Sequence, residues 1–278
     1  MRLPMKSILI LMVFGALAAC NGGSSTERLT NRLLNNSMDG IAGAVDKPIN
    51  LTFEDELGIL DVEIKNLSGD VIVRGKPKEA TGETTVRIEP RIEIRSGLDS
   101  KMKLEELKWK AHIDKNNYGG RTLFIEIEHI DPNAWFIGCD IEVDTARLGA
   151  VKIDTKRGKI IVDDNRGAVT LNTIRGEIRV RTPWPITKPC CLVTAQADII
   201  WTTRGEGSGE FDCETIEGTI HSYCRYGRWI SVDKRNDMNS LHATLNGGTN
   251  PIVMRTVDGD IRITIVEDPH ATGTFHWP

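Results

Sequence analysis

The sequence predicts an all-β fold: a single β-solenoid of short, glycine-cornered strands, with one short helix toward its N-terminal part. Three observations predict it. From Leu51 onward, β-branched and aliphatic residues alternate with polar ones at period two. Glycine recurs at a nine-residue interval through the centre of the chain. Within the body of the chain helical spacing is confined to 97–108, where Leu98, Met102, Leu104 and Leu107 sit among charges; a further short helix is read around Leu29 to Leu34 in the stretch before it.

The chain has 278 residues, 40% hydrophobic and 27% charged, enough to bury a core in one large domain. A formal net charge of -4 does not build the basic field on which nucleic acid binding relies, so no nucleic acid partner is expected.

Residues 1–19 read as an export signal: Arg2 and Lys6, an apolar run from Ile8 to Phe14, then small residues before Cys20. The apolar run is well short of the ~20 residues that cross a bilayer. Leu17-Ala18-Ala19-Cys20 resembles the bacterial lipobox, which implies acylation of Cys20, cleavage before it, and a membrane partner held through acyl chains. By the same resemblance, Asn21 after the cysteine fits export to the outer membrane or cell surface. Residues 20–50, with Gly22, Gly23, Ser24 and Ser25, read as a flexible linker, 51–266 as the β domain, and 267–278 as a tail.

The repeat runs GAVKIDTKR from Gly149, GKIIVDDNR from Gly158, GAVTLNTIR from Gly167 and GEIRVRTPW from Gly176. It pauses across Pro183, Pro185 and Pro189 and resumes at Gly209, Gly218 and Gly227. Nine residues make one strand of ~5 residues and a corner, and glycine turns the corner without a Cβ penalty. A unit this small buries one narrow face and needs neighbours stacked ~4.8 Å away, which is solenoid logic; an antiparallel meander explains the alternation but not the constant phase.

Gly69-Asp70-Val71-Ile72-Val73, the units at 155–162 and 173–180, and Gly259-Asp260-Ile261-Arg262-Ile263 carry "G-D-I/V-x-V" and "T-x-x-G-x-I/V-x-V" patterns. In these units 51–266 resembles the bacterial putative-adhesin domain family of unknown function. The resemblance implies a β-helical architecture and an envelope binding or structural role, presenting a stacked β surface to a polysaccharide or an envelope protein. It supplies no catalytic residues.

With Cys20 acylated, five cysteines remain in an oxidising compartment. Cys213 and Cys224 share the parity of the inward aliphatics and form the first disulfide expectation; Cys139 with Cys190 or Cys191 forms the second. His221 lies between Cys213 and Cys224, yet no C-x-x-C or H-x-x-x-H spacing supports a metal site, and neither metal nor cofactor is expected. Arg157, Arg166, Arg175 and Arg204 recur just before corners, as a basic ligand surface for acidic glycans or as solvated residues paired with Asp154, Asp163 and Asp164. Trp184 and Trp201 flank the proline-rich interruption and are the aromatic candidates for that surface, while Trp229 falls at a core position. No G-x-S-x-G elbow or P-loop is present, so an enzyme is not expected. The alternatives are a β-helix lyase or hydrolase, which would gather Asp163, Asp164 and Arg175 in one groove, and a folded spacer or signalling partner without a ligand.

Overall fold

In the computed structural model, residues 37–41, 48–54, 58–76, 83–92, 107–115, 120–129, 137–233 and 236–271 are described. The signal, Cys20, the short helix around Leu29 to Leu34 and the expected helix up to residue 106 lie outside the described residues. The helix expected over 97–108 ends inside a strand, because Leu107 and Lys108 already alternate with Trp109 and Ala111.

The first eight strands are β1 (Ser37–Ile41), β2 (Ile49–Glu54), β3 (Leu60–Asn66), β4 (Val71–Gly75), β5 (Glu83–Ile92), β6 (Leu107–Lys115), β7 (Arg121–His129) and β8 (Ile137–Thr145). They are followed by β9 (Leu148–Arg157), β10 (Ile160–Asp163), β11 (Val169–Arg175), β12 (Ile178–Thr182), β13 (Cys190–Val193) and β14 (Ile199–Arg204). The last six are β15 (Gly209–Glu217), β16 (Ile220–Cys224), β17 (Trp229–Val232), β18 (Ser240–Leu245), β19 (Pro251–Asp258) and β20 (Ile261–Val266). β1 and β2 fall inside the 20–50 stretch or start there, so the end of the expected linker is built into sheets, β1 pairing antiparallel with β6.

The strands form two large, mostly parallel sheets. Among the described residues the larger has 11 strands in the order β1-β6-β7-β3-β9-β11-β13-β19-β15-β18-β17, and the smaller has nine in the order β16-β20-β14-β12-β10-β4-β8-β5-β2. At the centre the chain alternates between sheets: β3 then β4, β9 then β10, β11 then β12, β13 then β14. Val169 pairs with Val151 and Ile178 with Ile160, so neighbouring strands are offset by two nine-residue units, one in each sheet. The order then departs from the sequence, since β19 and β20 insert between the β13/β14 step and the β15/β16 step. That crossover is invisible to a local repeat.

Alternation decides which face each residue takes. Val62, Val151 and Val169 line up inward in the larger sheet, as do Val71, Ile160, Ile178, Ile199 and Ile261 in the smaller. Together they form one continuous apolar core between the sheets.

One margin of this sandwich is a column of repeated corners. Gly69, Gly158, Gly176, Ala197, Gly259 and Gly218 stack there, and three residues before each stands Asn66, Thr155, Thr173, Thr194, Thr256 or Thr215, all buried. Gly158 has φ 117, and a Cβ on it would run into the carbonyl of Gly69. The hydroxyls of Thr194, Thr256 and Thr215 donate to the corner carbonyls of Gly176, Ala197 and Gly259 at 3.2, 3.0 and 2.8 Å. The residue after the corner continues the ladder: Asp70 accepts from the Lys159 amide at 2.8 Å and Asp260 from the Thr219 amide at 3.0 Å. At these steps a threonine hydroxyl or an aspartate carboxylate satisfies a polar group of a buried turn by bonding one step to the next.

Candidate ligand-binding edge

The opposite margin is built from connections of unequal length, and it collects the side chains with chemistry. Arg166 lies between β10 and β11, and Trp184 in the interruption between β12 and β13. A short relay positions both: the Thr182 hydroxyl donates to the Asn165 carbonyl at 2.7 Å and accepts from the Trp184 amide at 3.2 Å. The Arg166 amide is tied to the Leu148 carbonyl at 3.0 Å. The guanidinium of Arg166 then lies 3.7 Å from the centre of the Trp184 ring. Burial lowers the Arg166 pKa from its ordinary value, and the neighbouring positive charge of Arg147 lowers it further. Such a flat arginine keeps its N–H edge for an anion while the indole holds its face.

Asp164 stands beside this pair in a left-handed conformation, φ 64. Its carboxylate meets the His270 imidazole at 2.7 Å, bringing the expected tail back onto this edge. Burial raises the Asp164 pKa, and His270 opposes that shift. Asp163 faces the other way along β10 and accepts twice from Arg181, at 3.1 Å each.

The structure divides the predicted arginine row. Arg157 and Arg175 pair in register at the glycine margin, whereas Arg166 and Arg204 lie on the opposite one, Arg204 bridged to Glu206 at 2.9 Å. Successive nine-residue units end at opposite margins, so Arg157, Arg166 and Arg175 do not form one surface. For the same reason Asp163 and Asp164 are not brought together with Arg175.

Trp201 is not a surface residue. It follows Ile199 by two on β14 and is 1% exposed, stacked on Phe211 at 5.2 Å, with Trp229 edge-on to Phe211 at 5.0 Å. Trp229 thus packs against the core as its position predicts.

The expected disulfides are not formed; Cys139, Cys190, Cys191, Cys213 and Cys224 are all free thiols. Cys213 and Cys224 do have inward parity, but they belong to opposite sheets, and packed sheets stand ~10 Å apart, beyond the ~4.4–6.8 Å Cα separation of a disulfide. Cys139 on β8 and Cys190 and Cys191 on β13 are several strand spacings apart along the stack. Burial pushes the Cys139, Cys190 and Cys213 thiols up to about 12.

A second charged area, missed in the sequence, covers the outer face of the smaller sheet near Asp70, Arg87, Glu89, Asp140 and Glu142. Its charges answer one another: Asp140 takes the Asp70 amide at 2.7 Å and Arg91 at 3.0 Å, and Arg74 binds Glu142. Among the described residues no cluster of three or more His, Cys, Asp or Glu is placed to hold a metal ion.

No family model matches the chain, and no curated protein matches it. A solved structure of a putative cell adhesion protein from Clostridium sporogenes is similar to it, at TM-score 0.53 and 8% identity, covering 79% of this chain and 100% of that one. A putative adhesin from Bacteroides fragilis matches at TM-score 0.25 and 11% identity, covering 79% of this chain and 98% of that one. The likeness to the clostridial protein is one of fold.

Proposed function

We propose that the chain is an exported, lipid-anchored β-solenoid that serves cell-envelope adhesion or organisation by binding a polysaccharide or envelope protein along the irregular margin. The lipobox ending at Cys20 supports the anchor. The two-unit register between stacked strands supports the solenoid reading, and the fold likeness to a putative cell adhesion protein supports the adhesion role.

The observation that carries the binding role is the Arg166 guanidinium held 3.7 Å over Trp184, an aromatic and cationic pair at a half-buried site. The test is a glycan array probed with the wild-type chain and with Trp184→Ala. Binding to acidic glycans that disappears in the variant supports the reading; equal signals from both chains, or none above background, count against it. Surface-protease digestion of intact cells, with Cys20→Ser as control, separates a surface role from a periplasmic one.

A further inference from the structure

The two ends of the strand stack are finished differently. Beyond β3 the larger sheet adds β7, β6 and β1, and beyond β4 the smaller adds β8, β5 and β2, so three strands face three. At the other end β15 is followed by β18 and β17, while β16 is the edge of its sheet among the described residues. Among the described residues, two strands of the larger sheet there have no counterpart.

The side chains register the gap. Val232 pairs with Ala243, whose side chain points inward and is buried, yet Val232 is 52% exposed. Ser222 pairs with Ile263, which is 1% exposed, yet Ser222 itself is exposed. Ile220, Cys224, Trp229 and Leu241 are half-buried around the same opening. The backbone of β16 is open too. The Ile220 amide points away from β20 and reaches the Met238 carbonyl at 2.7 Å. Ser222 and Cys224 share its parity, so their amides and carbonyls line the unpaired edge. Arg225 and Arg228 stand exposed just past the end of β16.

We propose that this end takes up an extended segment of a partner protein as an added strand on β16. The segment that fits alternates apolar residues, turned toward Val232, Trp229 and Leu241, with polar ones turned outward. It carries acidic residues where it passes Arg225 and Arg228. Main-chain bonds to Ser222 and Cys224 supply the pairing and the apolar residues close the core.

The probe is a synthetic peptide of alternating valine and threonine ending in two glutamates, added to the full chain and followed by hydrogen exchange. The expected result is at least about a tenfold slowing of exchange at Ser222 and Cys224, with a change in Trp229 fluorescence. A peptide of the same composition with its valines bunched together has no such effect. Ser222→Pro, which removes an edge amide, and Val232→Glu, which charges the opening, each abolish the slowing, whereas Trp184→Ala leaves it intact. Unchanged exchange with the alternating peptide, or slowing that survives both variants, overturns the proposal. So does prior protection of these amides without peptide: in a dimer it identifies a second copy as the occupant, and in a monomer the chain's own residues.

Discussion

The two margins of the sandwich are made by the same chain under opposite rules. At the glycine margin every step repeats a buried Thr or Asn three residues before a Gly or Ala, and at Asp70, Asp198 and Asp260 the carboxylate that follows accepts an amide of the next step. At the other margin the connections differ from step to step, and there Arg166, Trp184, Asp164 and His270 gather. Regularity is where the fold is held together. Irregularity is where a fold of this kind has freedom to acquire a ligand.

Substitutions on the two margins test that contrast. The largest effect is expected for Gly158→Ala, which combines an unfavourable backbone conformation with overlap against the Gly69 carbonyl. A loss of about 3–5 kcal/mol is expected in urea unfolding; a loss below 1 kcal/mol would show that the column relaxes easily. The two tryptophans come next. Trp201→Ala should cost about 3–5 kcal/mol through the cavity it leaves, and Trp184→Ala less than about 1 kcal/mol, so equal costs would remove the distinction between core and edge. Thr215→Val strips the Gly259 carbonyl of its donor and should cost about 1 kcal/mol, measurable by the midpoint of denaturation.

The smallest effect is one of pH. The Asp260 carboxylate loses some solvation, but bonds from Thr219 and Arg262 outweigh this and hold its pKa below the ordinary value. Its contribution is therefore present above the ordinary carboxylate range and is lost as pH falls through the lowered folded-state value. Asp164 runs the other way, because its raised folded-state pKa makes protonation favour the folded chain. Asp260→Asn should flatten the acid limb of a stability profile. A profile unchanged by that substitution would show that the polar ladder contributes nothing at the corner.

Much of the fold is legible in the residues. The alternation locates the strands, and the T-x-x-G-D pattern marks the corners, because hydroxyl, missing Cβ and carboxylate each meet a need created within a few residues. The margin on which a corner falls is not legible from a nine-residue period, since that requires knowing that two units complete a step. The place of Trp201 beside the prolines predicts a surface residue, whereas it shares the inward parity of Ile199 two residues before it. Parity also misleads for Cys213 and Cys224, because facing inward says nothing of the distance between sheets. The meeting of Asp164 with His270 spans 106 positions and leaves no local trace.

The offset between stacked strands also sets a rule for changes in chain length. Removing 158–175 would join Arg157 to Gly176, a corner residue replacing a corner residue, and every later side chain would keep its face. Removing 158–166 alone would send the following strands to the wrong sheet, trading one margin for the other throughout. Shortening or lengthening at the centre is thus quantised in pairs of repeats, and a lineage of such chains would differ in length by whole turns of the stack.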